Sequence, residues 1–428
     1  MATTRTVTNA AELQRAIADA VGTIEVEGAI HGMPSVTLPP GTTLVGRPGA
    51  VLRFGGRGVV MSADTTIRDL TIVTADVEIA VGLDTSAGAA GTITLQRVTT
   101  QGQVALIFAD ALASGDVQVD GLTVVSADVR GRMQRPRGYN VEVQQGVFTL
   151  WNQQADPASL VTATLKNIAA GTAGSPVRGS GIFVAGGGFG QTGRLEVSEL
   201  STGVVVTDGG IPEQTPDVIS GAVFVVSGAK VRLVSNLGPV TTYGQNDMVL
   251  DNWGTVGTWE ARDEVTSHGP SGIGFVNFGD IEALRVRGPI VTNGVGARGY
   301  NLYDGSTGVA EFASITTHGD GAIGIQISRP SGPIHVTGDL ATTGGTGMSL
   351  VKGEQVELSA IAFSVKPGGR VERLEVGGDI RTAGDDLTTV DLDGPVGAVS
   401  VGGRIVAEGA GSTPVTPPDS AVFAPFVS

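Results

Sequence analysis

The 428-residue chain has no cysteine, which removes disulfides, thiol nucleophiles and cysteine-based metal sites and leaves the redox compartment undecided. Aromatics are scarce, with 3 Trp, 4 Tyr and 12 Phe. Cations are outnumbered: 27 Lys and Arg face 42 Asp and Glu, for a formal net charge of −15. That balance argues against a nucleic-acid partner and against binding to an acidic membrane surface. No run reaches about 18 apolar residues, and the first nine residues lack a basic-then-apolar leader. The expectation is a soluble chain, cytoplasmic or a mature secreted form.

What abounds is glycine, 66 residues, and several of them keep a fixed spacing. Gly244, Gly269, Gly294, Gly319 and Gly344 lie 25 positions apart; Gly384 follows after 40, and Gly409 after 25 again. Thr242, Ser267, Thr292, Thr317, Thr342 and Thr382 hold a second register. A third runs Val240, Val265, Ile290, Ile315, Leu340, Ile380 and Ile405. A fixed period in the range of about 20–50 residues means stacked copies of one unit, none able to bury its apolar face alone.

The unit is made of strands. Within residues 270–294, Ile273 and Phe275, then Leu284 and Val286, then Ile290 alternate with other residues, and Gly or Asp closes each run. Three short strands per period predict an all-β chain, a single-stranded right-handed parallel β-helix of about 25 residues per coil. A less regular version of the cadence runs upstream from Ile67. One helix is expected, capped by Asn9, with Leu13, Ala16, Ile17 and Ala20 on one face. The expected organisation is a cap segment and helix over 1–22, the β-helix over 23–409, and a Pro-rich tail over 410–428 that docks on the last coil or on a neighbouring subunit.

The opening VTNAAELQRAIADAVGTIEVEGAI, followed by LPPGTTLVGRPGAVLRF and TTIRDLTI, resembles the start of many members of the pectin-lyase-like superfamily. The resemblance covers essentially the whole chain and concerns the fold alone. That superfamily includes lyases, hydrolases, epimerases and non-catalytic adhesins, so function must be argued from a site.

All Trp and Tyr fall between residues 139 and 303, which directs attention to the middle coils. The period predicts inward columns Trp259, Leu284, Val309, Ile334, Val399 and Leu250, Phe275, Tyr300, Ile325, Leu350. Asn252 and Asn277 are expected to stack as an internal amide pair. The intervening positions point outward: Asp251, Val276, Asn301, Gln326 in one column and Trp253, Phe278, Tyr303 in the next. Stacked aromatics beside carboxylates and amides match the flat faces and hydroxyls of sugar rings, although a loop or second subunit over the stripe is equally compatible with the pattern.

A corner column holds Tyr243, His268, Asn293, His318 and Thr343. Its two His lie two coils apart, roughly 10 Å by strand spacing, which disfavours a shared metal. His and carboxylates are the usual proton-transfer groups. The expected catalytic set is therefore Asp251 with His268, assisted by Asp247. Trp253, Phe278 and Tyr303 form the platform, and Asn301, His318, Tyr243 and Gln326 line neighbouring subsites. Arg130, Arg132, Arg135 and Arg137 cluster in an acidic protein, and Arg135 and Arg137 are candidates for an anionic substrate group, against the plainer reading of surface ion pairs.

Motifs add little. SHGPSGIG from Ser267 partly resembles a polygalacturonase signature but lacks its first Gly and paired aspartates, and TYGQND from Thr242 lacks the Pro and His of an alginate-epimerase segment. Asp247, Asp251 and Arg298 fit a calcium-dependent lyase only by residue type, so no cofactor or metal is assigned. The expected partner is a carbohydrate or glycoconjugate, and the expected activity is cleavage or rearrangement of a glycosidic linkage, of lyase or glycoside hydrolase or transferase type. The alternative is a non-catalytic β-helical binding or structural protein, with a trimer as its assembly.

Overall fold

The structure is a computed structural model that describes residues 3–135, 141–188, 190, 192–213, 215, 217–351, 354–418 and 420–428. The described chain is all-β with long parallel sheets, compatible with a parallel β-helix. It separates into two compact units: residues 1–140, 144–207 and 225–232 form the first, and 141–143, 208–224 and 233–428 the second.

The first unit begins with the strand Thr4–Val7 and the helix Ala10–Ala18. Asn9 caps the helix by accepting from the Glu12 backbone N–H at 3.1 Å, while the Glu12 carboxylate accepts from the Thr8 N–H at 2.8 Å. Leu13 and Ala16 are buried, Ile17 is half-buried and Ala20 is exposed with φ of +49°. Parallel pairing then stacks Ile67, Leu95, Val119, Leu165 and Leu200 in one column. The intervals in that column are unequal, which is why periodicity is hard to see upstream.

The second unit keeps the ruler. Val240, Val265, Ile290, Ile315, Leu340, Ile380 and Ile405 pair in succession and are all fully buried. The ruler glycines are required by close approach rather than by backbone angle. A Cβ on Gly269, Gly294, Gly319 or Gly344 would overlap the carbonyl oxygen of the ruler Gly one repeat earlier. On the facing sheet, Leu250, Phe275, Tyr300, Ile325, Phe363, Val390 and Val415 form the inward column. Asn252 donates to Asn277 at 2.8 Å, and Asn277 donates on to Thr307, so the internal amide pair satisfies itself and the adjoining turn.

Two register expectations are corrected. The 15-residue insertion is an antiparallel hairpin, Thr346–Val351 with Glu354–Ser359, so Phe363 rather than Leu350 pairs with Ile325. Leu284 pairs with Ala310, not Val309, because the turn holding Gly305 (φ +66°) adds one residue and shifts that strand by one. Val309 is consequently half-buried while Ala310 is fully buried. The chain's last residues lie on the final repeat, where Phe423 is buried near Phe363 and Val427 bridges Ile405. No helix among the described residues is long and apolar enough to cross a membrane.

Candidate functional site

Five strands of the second unit carry the candidate site: Asp247–Asn252, Ile273–Asn277, Arg298–Leu302, Ile323–Ile327 and Ile361–Val365. Their outward column reads Asp251, Val276, Asn301, Gln326 and Ser364 in pairing register. Two residues along lie Trp253, Phe278 and Tyr303. Trp253 meets Phe278 edge-on with centroids 5.9 Å apart, and Phe278 meets Tyr303 at 4.8 Å. Phe224 closes the other side of Trp253 at 5.0 Å.

Outward does not mean solvated here. Asp251 is 0% exposed, Asn301 1% and Trp253 2%, whereas Phe278 and Tyr303 are half-buried. The expectation of an open stripe fails at Asp251, Val276 and Asn301, which are buried on three successive strands. Among the described residues neither carboxylate oxygen of Asp251 has a hydrogen-bond partner of good geometry. Burial pushes its carboxyl well above the usual carboxylate range, and the nearby Trp253 side chain opposes this only in part.

Two further buried atoms on these strands lack partners among the described residues: Asn301 Oδ1 and Arg298 Nε. Arg298 is 6% exposed, and its Nη1 donates to the Gly296 carbonyl at 3.2 Å. Burial lowers its pKa to about 10, with the Tyr303 hydroxyl acting in the opposite direction. Asp251, Asn301 and Arg298, on two strands of this sheet, thus each keep a buried polar atom without a well-placed partner among the described residues. Such atoms cost free energy unless something other than the fold maintains them.

Asp247, assigned above to assist Asp251, does a different job. It accepts from the Gly209 N–H at 2.8 Å, from the Gly244 N–H at 2.7 Å and from the Ser220 hydroxyl. These bonds tie the segment after Asp208 to the ruler corner. Burial still raises its pKa to about 6, because desolvation outweighs the three bonds.

The corner residues are exposed and make their own ladder. The Tyr243 and His268 rings stack at 4.7 Å, 11° from parallel. Asn293 Nδ2 lies 3.2 Å from His268 Nδ1, and His318 Nδ1 lies 2.9 Å from Thr343 Oγ1. No hydrogen bond or ion pair joins His268 to Asp251 or Asp247 among the described residues, so the structure does not assemble the expected acid–base pair. Gln326 is 9% exposed and shares the Asp251 column. Arg135 is exposed and belongs to the first unit, and Arg137 lies outside the described residues.

Arg298 was legible in one way that the spacing argument passed over. It is the only charged residue in a column otherwise occupied by Met248, Ile273, Ile323 and Ile361. Elsewhere, a shallow groove of about 370 Å³ in the first unit runs past Asp116, Thr162, Glu196, Ser198, Lys230 and Arg232. It is an open sheet surface whose side chains largely bond one another, such as Thr162 to Asp116 at 2.6 Å and Thr164 with Ser198 at 2.8 Å. No group of three or more metal-ligating side chains occurs among the described residues. No family model, curated protein or solved structure matches this chain.

Proposed function

We propose that this chain is a carbohydrate-active right-handed parallel β-helix of the pectin-lyase-like type, acting on an extended glycan or glycoconjugate at the Asp251 face. The 25-residue pairing interval supports the coil size, and the buried Leu13 and Ala16 support the first helix as a lid on the opening strands. The observation that carries the functional reading is Asp251 itself. This carboxyl is fully buried beside an indole, and burial pushes its pKa well above the usual carboxylate range, which favours the protonated form. That is the state a general acid needs to protonate a leaving glycosidic oxygen.

Trp253, Phe278 and Tyr303 supply the sugar-stacking surface, and Asn301 and Gln326 supply amides for hydroxyls. Reaching Asp251 requires the aromatic cover to move, so substrate binding and exposure of the acid are coupled. His268 and His318, on the exposed corner, belong to an outer subsite rather than to proton transfer.

The second reading, a non-catalytic structural β-helix, is favoured by one observation: Trp253 is packed between Phe224 and Phe278 like a core residue. A glycan-library turnover screen read by mass spectrometry separates the two. Turnover by the parent chain that disappears in Asp251→Asn supports the enzyme. Turnover unchanged in that variant removes Asp251 from the mechanism, and absence of turnover and binding across the library favours the structural reading.

A further inference from the structure

We infer that Asn293 is a self-modification site: the Gly294 backbone nitrogen displaces its side-chain amide, and the folded chain ages at this corner to aspartate and isoaspartate. The reaction needs an Asn whose following residue has no side chain to crowd the approach, a backbone N–H not committed to an acceptor, and access to water. Asn293–Gly294 is the only Asn-Gly pair in the chain. The fold makes its Gly obligatory, because a Cβ on Gly294 would overlap the Gly269 carbonyl oxygen. Each corner residue (Tyr243, His268, Asn293, His318 and Thr343) is followed by a ruler Gly in this way, and only Asn293 offers that Gly an electrophilic side-chain carbon.

The first ruler position shows what protection looks like: the Gly244 N–H is held by the Asp247 carboxylate at 2.7 Å. The Gly294 N–H has no acceptor among the described residues. Asn293 itself is exposed. Its own N–H donates to the Ser267 carbonyl at 2.9 Å, and Nδ2 lies 3.5 Å from that carbonyl and 3.2 Å from His268 Nδ1. Both side-chain contacts are made by the nitrogen that leaves. In the reaction the Gly294 nitrogen bonds to Asn293 Cγ, the Cγ–Nδ2 bond breaks, and Nδ2 departs as ammonia with the proton that Gly294 gives up. Water then opens the cyclic imide. Cleavage of the new bond gives aspartate, and cleavage at the original backbone carbonyl gives isoaspartate. Either product sets a carboxylate between His268 and His318 in the corner column, and isoaspartate also lengthens the backbone beside a ruler Gly.

Peptide mapping by mass spectrometry tests this on the full folded chain, incubated at mildly alkaline pH and sampled over time. The expected result is conversion at Asn293 at least about tenfold faster than at any other Asn, with aspartate and isoaspartate resolved by retention time. Asn293→Gln should abolish the conversion at this position, because closing the larger ring is slower, and unchanged circular dichroism confirms that the variant is folded. A parallel sample unfolded in guanidinium separates the fold from the dipeptide. No conversion at Asn293 in the folded chain would overturn the inference, whatever the unfolded chain does. So would an equal rate at another Asn, or a mass gain that persists undiminished in Asn293→Gln.

Discussion

One strand of six residues, Asp247–Asn252, buries two aspartates four positions apart, and the two are handled in opposite ways. Asp247 accepts three hydrogen bonds, from Gly209, Gly244 and Ser220; Asp251 has only the Trp253 side chain beside it to favour its charged form. Desolvation raises both, but three bonds oppose it at Asp247, whose pKa settles at about 6, and only the Trp253 side chain opposes it at Asp251, whose pKa is pushed well above the usual carboxylate range. The first is a clamp that the fold uses. The second is desolvated with little to offset it, and on the proposed function it is a group kept for chemistry.

The sharpest way to break this contrast is to delete the clamp. Asp247→Ala leaves three donors around Gly209, Gly244 and Ser220 without their acceptor, and it should cost roughly 3–5 kcal/mol in urea unfolding. A loss under about 1 kcal/mol would mean that the corner holds itself together by other means.

Asp251→Asn should do the reverse. Stability should be unchanged or should rise by about 1 kcal/mol, since the amide keeps the side chain's shape and an oxygen for Trp253 while the desolvated acid is gone. On the proposed function, turnover should fall by about a hundredfold or more. Equal destabilisation by the Asp247→Ala and Asp251→Asn changes would place both in the structural class.

The pH dependence separates the two titrations. Between about pH 4 and 6 the unfolded chain loses the Asp247 proton while the folded chain retains it, so stability falls as pH rises. A shift from 3.8 to about 6 corresponds to a loss on the order of 3 kcal/mol, complete above pH 6. The raised pKa of Asp251 adds a fall of the same sign. Urea midpoints across a pH series should therefore decline between about pH 4 and 6 in the parent chain, and Asp251→Asn should make the decline with pH shallower. Stability that rises above pH 6 would contradict both assignments.

The smallest effect is expected at the exposed corner. His268→Ala removes a ring stacked on Tyr243 in solvent and should change stability by no more than about 0.5 kcal/mol. It should leave the Asp251-dependent step intact, with any activity loss appearing in KM rather than kcat. A large fall in kcat would return His268 to proton transfer.

Much of the second unit is legible in the sequence because its constraints repeat. Ruler glycines mark where one repeat's carbonyl meets the next, and the Val240 column marks the core. Parity places Asp251, Asn301 and Gln326 on one face, as the pairing register does. Parity does not report solvent, however. It says which side of a sheet a residue leaves from, and nothing about what packs there, so the burial of Asp251 and Trp253 is not readable from spacing. The hairpin at 346–359 shows in the sequence only as a 40-residue interval, without its conformation, and the extra residue near Gly305 is invisible to a strict period because it leaves the ruler glycines aligned. Asp247 looked catalytic by type, and only its three donors, two of them from residues 209 and 220, reveal a clamp.

The protonation state of Asp251 can be read directly by infrared difference spectroscopy between the parent chain and Asp251→Asn at pH 7. The expected result is a protonated-carboxyl C=O band present in the parent and absent from the variant, while Asp247, with a pKa of about 6, contributes mainly as carboxylate at that pH. A difference spectrum containing only carboxylate bands would show Asp251 ionised at neutral pH, and it would contradict its assignment as a buried general acid.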